Sequence, residues 1–144
     1  MIVYVHGDIF QSSAKVLANP VNTAGVMGKG LALAFKKHYP AMFEAYRTRC
    51  KNGQFQVGDL WLYKADDKWI LNFPTKRHWG EKSTLEIIET GLQKFVSIYQ
   101  EAGIESIAFP MLGSGLGGLD WEAQVCPLME KYLQPLPIEI AIYI

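Results

Sequence analysis

With 144 residues, 49% of them apolar, the chain is sized for one compact domain with a real core, residues 1–144. Its 14 Lys and Arg balance 14 Asp and Glu, so the formal net charge is +0; wholesale attraction to DNA or an anionic membrane is not indicated, and a local basic patch is left open. No apolar run is long enough to span a bilayer, no secretion signal is visible in Met1–Asp8, and Cys50 and Cys126 show no CxxC or zinc spacing; a cytoplasmic protein with reduced thiols, no metal and no cofactor is expected. Ile2–Val5, β-branched and aromatic, predicts the first strand, closed by His6-Gly7-Asp8-Ile9. Asp8 has two readings. It caps a short helical turn around Gln11–Lys15, which its spacing favours, or its carboxylate accepts from a base amino group or ribose hydroxyl.

Val16–Pro20 predicts a buried second strand, and the helix pattern Leu31–His38 follows. Between them lies the stretch that organises the chain, Asn19-Pro-Val-Asn22-Thr-Ala-Gly25-Val-Met-Gly28-Lys-Gly30. Glycines allow close backbone approach, and backbone N–H groups ahead of a helix attract an anion. The amides of Asn19 and Asn22 both donate and accept, which suits sugar hydroxyls. A sugar phosphate or nucleotide is the expected ligand, against the plain reading of a glycine-rich turn. Gly28-Lys29 is not a P-loop, since Gly25 is three residues back and Gly30 stands where a magnesium-binding hydroxyl belongs; the glycine spacing is not a dinucleotide fingerprint either.

A helix from about Gly28 to His38 is expected to bury Leu31, Leu33, Ala34 and Phe35, and Tyr39-Pro40 ends it. A second, Ala41–Lys51, places Met42, Phe43, Tyr46 and Cys50 on one face and stops at Asn52-Gly53. Asp59–Lys64 and Lys68–Phe73 read as strands joined by the hairpin turn Ala65-Asp66-Asp67. The loop Pro74–Lys82 then gathers Thr75, Lys76, Arg77, His78 and Trp79, either a solvated basic loop or a set that acts on a ligand, with Trp79 as a base-stacking surface. Ser83 with Glu86 resembles a capping box for the helix Thr84–Gln100, whose inner face is Leu85, Ile88, Leu92, Phe95, Val96 and Tyr99. Ser106–Pro110 is a buried strand, Met111–Leu119 a second glycine-rich loop, Asp120 the cap of a helix Trp121–Leu133, and Ile138–Ile144 a last strand. The sum is an α/β fold, three layers α/β/α with a mixed central sheet of about six strands and ligand loops beyond the strand ends.

These elements and loops resemble the macrodomain family of ADP-ribose binders and hydrolases over the whole chain. Gly7-Asp8-Ile9, Asn19–Asn22, Gly25–Gly30 and Gly113–Gly117 carry the resemblance. More narrowly, Asn19–Lys37, Asn72–Trp79 and Leu112–Trp121 look like the DarG-type branch, antitoxin macrodomains that remove ADP-ribose from thymidine bases of DNA, related to the terminal ADP-ribose protein glycohydrolases.

The resemblance implies roles. Asp8 would accept from the adenine amino group, helped by the Ile9 N–H, and Asn22 would bond the distal ribose. Asn19, Thr23, Gly25, Val26, Met27, Gly28, Lys29, Gly30, Thr75, Gly113, Ser114, Gly115, Leu116 and Gly117 would line the ADP-ribose cleft, the two loop backbones holding diphosphate and distal ribose. Lys76 would be the catalytic residue, with Asn22, either attacking the anomeric carbon or polarising the leaving linkage. Arg77, His78 and Trp79 would contact nucleic acid. Protein-directed relatives pair the lysine with an aspartate in the second loop; Gly117 stands there, as in the DNA-directed branch, and Asp120 does not inherit the role. The implied partners are ADP-ribosylated DNA and a cognate ADP-ribosyltransferase toxin, with no membrane and a monomeric state. Relatives often carry a toxin-binding C-terminal region, whereas this chain stops at its last strand, as a stand-alone domain or an excised piece. Two alternatives share the pocket: hydrolysis of ADP-ribose 1″-phosphate or O-acetyl-ADP-ribose, and a non-catalytic ADP-ribose-binding module.

Overall fold

The computed structural model describes residues 1–144. Six strands, β1 (Ile2–Val5), β2 (Val16–Asn22), β3 (Trp61–Lys64), β4 (Trp69–Lys76), β5 (Ser106–Pro110) and β6 (Glu139–Tyr143), form one sheet in the order β1-β6-β5-β2-β4-β3. All neighbours are parallel except the β3–β4 hairpin, so the sheet is mixed. Strand alternation splits the core. Val16, Ala18, Leu71, Phe73, Ile107 and Phe109 pack under α3 (Leu85–Ile98) and α4 (Cys126–Leu133). Leu17, Val21, Ile70 and Ala108 pack with Phe35 of α1 (Gly30–His38) and Met42, Phe43 and Tyr46 of α2 (Pro40–Lys51). Both sheet faces are covered, as near-continuous apolar parallel strands require. The result is three layers, α/β/α, around a mixed six-stranded sheet.

The topology opens a crevice. After β2 the chain leaves by α1 and α2 toward β3 and β4; after β4 it returns across the other face by α3 to β5. Adjacent β2 and β5 thus send their connections in opposite directions, the topological switch at which open α/β sheets bind ligands. Register between them holds only for Val16↔Ile107 and Leu17↔Ala108, and beyond it the strands part. Pro20 and Pro74 sit on these parted ends, where each strand has a neighbour on one side only and the missing N–H is tolerated.

Several element limits differ from the sequence expectation. The first turn is Ile9–Gln11 rather than Gln11–Lys15, because Asp8 caps it by accepting from Phe10 N (2.9 Å). β2 runs on to Asn22 and β4 to Lys76, since each gives the other a partner past its proline. α1 starts at Gly30, with Lys29 at the cap position. The cap of α3 is Thr84, whose hydroxyl accepts from Ile87 N, and not Ser83, whose N–H is drawn to the Gly117 carbonyl. Val96 is exposed; Ile87 and Gly91 complete the inner face of α3, and in α1 Phe35 alone is fully buried. The helix expected from Trp121 divides into a π turn, Trp121–Val125, and α4. Cys126 N donates to Trp121 O, and the widened turn accommodates the Pro127 ring. Asp120 caps that turn by accepting from Ala123 N (2.8 Å).

Candidate functional site: a cleft between two glycine-rich loops

The C-terminal ends of β5, β2 and β4 lie side by side, so the loops 111–119, 23–29 and 77–84 stand together at one edge of the sheet. The first loop hangs on Asn22. Its Oδ1 accepts from Ala24 N (3.0 Å), Val26 N (3.4 Å) and Tyr46 Oη (2.8 Å), and its Nδ2 donates to Val26 O (2.8 Å). Tyr46 also lies 2.7 Å from the Asn22 carbonyl oxygen. In this state the Asn22 amide is spent on loop shape. Beneath it, Asn19 is 0% exposed and its Nδ2 donates to Asn72 Oδ1 (3.1 Å) and meets Met27 Sδ (3.8 Å). Asn19 therefore supports the loop from below and lies outside the cleft surface. Asn72, opposite Asn19 in register, donates to Trp61 O and ties β3 to the same post.

Both loops present unpaired N–H groups. Gly28 and Lys29 N–H have no acceptor within the protein, and Lys29 makes no side-chain cap bond, so the first turn of α1 stays open to an anion. Gly30 adopts φ +58, and a Cβ there would stand 3.2 Å from Leu116 Cδ1, so the loops meet across the cleft at Gly30 and Leu116. In the second loop Leu119 N bonds Gly113 O and Gly118 N bonds Gly115 O, while Gly115, Leu116 and Gly117 N–H have no acceptor. A Cβ on Gly117 would collide with Ser83 Oγ and Gly113 O, so position 117 has no room for a side chain.

Lys76 closes β4. The ladder shifts between Val21 and Asn22, leaving Thr75 unpaired in register, and sets Lys76 opposite Asn22. Such a bulge re-aims a side chain. Thr75 is buried and donates to Val21 O (3.4 Å). One residue on, the Arg77 carbonyl accepts from Thr23 N (3.2 Å) and Thr23 Oγ1 (3.1 Å), stapling the basic loop to the first glycine loop. Lys76 is half-buried and belongs to neither of the two ion pairs, Arg47–Glu44 and Lys131–Glu89. Arg77 and His78 are exposed, and Trp79, 58% exposed, stands with His78 at the rim, ring centroids 4.9 Å apart. Asp8 is exposed with one carboxylate oxygen on its cap bond, and Ile9 is buried against the core that holds Ala108 of β5.

Two residues of this site escaped the sequence reading. Tyr46 is legible in sequence only as a buried face residue; that a buried tyrosine hydroxyl needs a partner is the one signal it carries, and that signal does not name Asn22. Ser83 was read as a cap. A separate pocket between residues 38–42 and 63–67 lies at the opposite end of the strands and shares no residue with the loops.

The Macro domain family model matches residues 18–126. A DNA ADP-ribosyl glycohydrolase of Mycobacterium tuberculosis is 42% identical over 99% of this chain, and this chain covers 42% of it. The curated relatives of this kind are thus more than twice as long as the chain. Among solved structures, the macrodomain of Thermus aquaticus DarG superposes with TM-score 0.94 at 40% identity, covering 100% of this chain and 98% of that one. Thermosipho africanus DarTG, solved in complex with ADP-ribose, gives TM-score 0.94 at 42% identity over 99% of this chain and 41% of its own. On the matched model, the loops and these relatives, the chain belongs to the macro domain family.

Proposed function

We propose that the cleft binds an ADP-ribosyl group and that the protein removes ADP-ribose from thymidine bases of DNA by hydrolysing the N-glycosidic link. The observation that carries this reading is Lys76, set opposite Asn22 at the end of β4, beside the β2 and β5 strand ends whose loops carry unpaired N–H groups, and in no ion pair with an acid. Relatives 40–42% identical named DNA ADP-ribosyl glycohydrolases support it.

The loop N–H groups of Gly28–Gly30 and Gly115–Gly117 take the diphosphate. Asp8, with an oxygen to spare beyond its cap bond, takes the adenine amino group beside Ile9. Arg77, His78 and Trp79 hold the nucleic acid, with a base stacked on Trp79. The Lys76 amine works at the anomeric carbon by one of two routes. In the first it forms a bond to that carbon as the base nitrogen leaves and takes a proton, and water later breaks the new bond. In the second it polarises the linkage while water attacks. Trapping a reducible lysine adduct by borohydride, read by mass spectrometry, separates them.

The test is release of ADP-ribose from single-stranded DNA carrying one ADP-ribosylated thymidine, without added metal. Wild type releases it, and Lys76→Ala loses at least about 100-fold in rate, the lower range for a positioned acid–base or nucleophilic group. Release by neither protein, with clearance of ADP-ribose 1″-phosphate or O-acetyl-ADP-ribose, would move the assignment to small esters. ADP-ribose binding with no turnover of any substrate would leave a reader module. A fusion of transferase and glycohydrolase in Thermosipho africanus supports a cognate DNA ADP-ribosyltransferase as partner. Co-expression with such a toxin should restore growth, and a rescue that persists with Lys76→Ala would contradict the enzymatic basis.

A further inference from the structure

Two buried side-chain polar atoms have no partner within the protein, Asn19 Oδ1 and Ser83 Oγ. Each lies under one of the glycine-rich loops: Asn19 beneath Met27, and Ser83 beneath Gly117, whose carbonyl its N–H binds at 3.0 Å. Ser83 is 6% exposed, and Thr84 rather than Ser83 caps α3, so helix capping does not explain the hydroxyl. A buried hydroxyl without a partner is kept against a desolvation penalty, and its retention calls for a reason.

The loop above supplies one. A peptide is planar and trans, so an N–H and the carbonyl of the same peptide point to opposite sides. The unpaired N–H groups of Gly115 and Gly117 share their peptides with the carbonyls of Ser114 and Leu116, which accept no backbone bond, whereas the Gly115 carbonyl, paired with the Leu116 N–H, already accepts from Gly118 N. When those N–H groups turn outward to an anion, the carbonyls turn inward, toward the floor where Ser83 Oγ stands. Gly117 has no side chain to intervene, and a Cβ on Gly113 would stand 3.2 Å from Ser83 Cβ, so the serine fills that floor.

We infer that Ser83 is a positioning residue: its hydroxyl donates to an inward-turned carbonyl of the 113–118 loop when the loop's N–H groups engage the diphosphate of an ADP-ribosyl ligand. It touches neither ligand nor reacting atoms. It sets how readily the loop adopts its binding form. The inference rests on the reading of the cleft as an ADP-ribose site.

The experiment compares wild type, Ser83→Ala, Ser83→Cys and Thr84→Ala by thermal unfolding and by calorimetric titration with ADP-ribose. Ser83→Ala should melt at or above the wild-type temperature without ligand and bind ADP-ribose about fivefold more weakly, the worth of one neutral hydrogen bond. Its KM on ADP-ribosylated DNA should rise by about the same factor, with kcat within about twofold. Ser83→Cys, a weak donor, should fall between. Thr84→Ala should melt lower and bind as wild type. Wild-type affinity in Ser83→Ala overturns the inference. So does a loss of affinity accompanied by a lower melting temperature, which marks a structural strut. If wild type itself binds no ADP-ribose, the reading of the cleft falls and this inference with it; if wild type binds and Ser83→Ala binds equally, only this inference falls.

Discussion

The Tyr46 hydroxyl holds the Asn22 side chain and backbone together, at 2.8 Å and 2.7 Å, from a position buried inside the α1–α2 layer. Burial, and next the neighbouring Cys50, pushes its phenol far above the usual range. A proton held more tightly in the folded state adds stability that is fully present below the unfolded tyrosine pKa of about 10 and is lost as pH rises above it. Wild type should therefore lose urea stability above about pH 10. Tyr46→Phe should be less stable by roughly 1–2 kcal/mol at neutral pH and show a flatter alkaline slope. An unchanged slope in the variant would show that another group dominates the alkaline limb. What was legible at this scale was chemical type. Asn22, Lys76 and the glycines stood out because their side chains, or lack of them, suit a ligand. Tyr46 and Ser83 did not, because their roles depend on what lies across the fold: Asn22 is 24 positions from Tyr46, and Gly117 comes from another strand end.

The element that presents Lys76 is β4, and α3 sets where β4 lies. Gly91 of α3 faces the Phe73 ring, and a Cβ there would run into it. Gly91→Ala gains about 0.8–1.0 kcal/mol of helix propensity. It must also push α3 off β4 or force Phe73 from its rotamer, at about 1–3 kcal/mol. The prediction is a net destabilisation measured by chemical unfolding, with lower turnover, since Phe73 stands three residues before Lys76 on the same strand. A more stable, fully active Gly91→Ala would show that the α3–β4 seam gives way freely. Element identity was readable throughout, because periodicity and the hairpin turn are local. Element ends were not. β2 and β4 outrun their prolines because each pairs with the other, a non-local fact, and the π turn before α4 arises from a bond, Cys126 N to Trp121 O, that no periodicity marks.

At the scale of the molecule, a net charge of +0 leaves no overall field to draw in a polyanion. If the proposed function holds, affinity for DNA must come from a few local cations, which makes a quantitative demand on them. Arg77 and Lys82 are exposed beside the cleft, and neither is in an ion pair. Phosphate contacts by two such cations predict that log K for an ADP-ribosylated single strand falls with log salt at a slope of about −1.4, far shallower than for a basic DNA-binding protein. Arg77→Ala should bring the slope to about −0.7 and leave binding of free ADP-ribose near wild type. The measurement belongs in the Lys76→Ala background, expected on the proposed function to hold the substrate without turning it over, with free ADP-ribose as the reference for the ligand's own charge. If the DNA-linked ligand shows the same salt slope as free ADP-ribose, the nucleic acid is not gripped at this rim, and substrate choice would rest on the ADP-ribosyl group and its linkage alone. A difference that Arg77→Ala removes would place the DNA strand over the loop that β4 throws up beside Trp79, and would account for how a neutral domain selects a charged polymer.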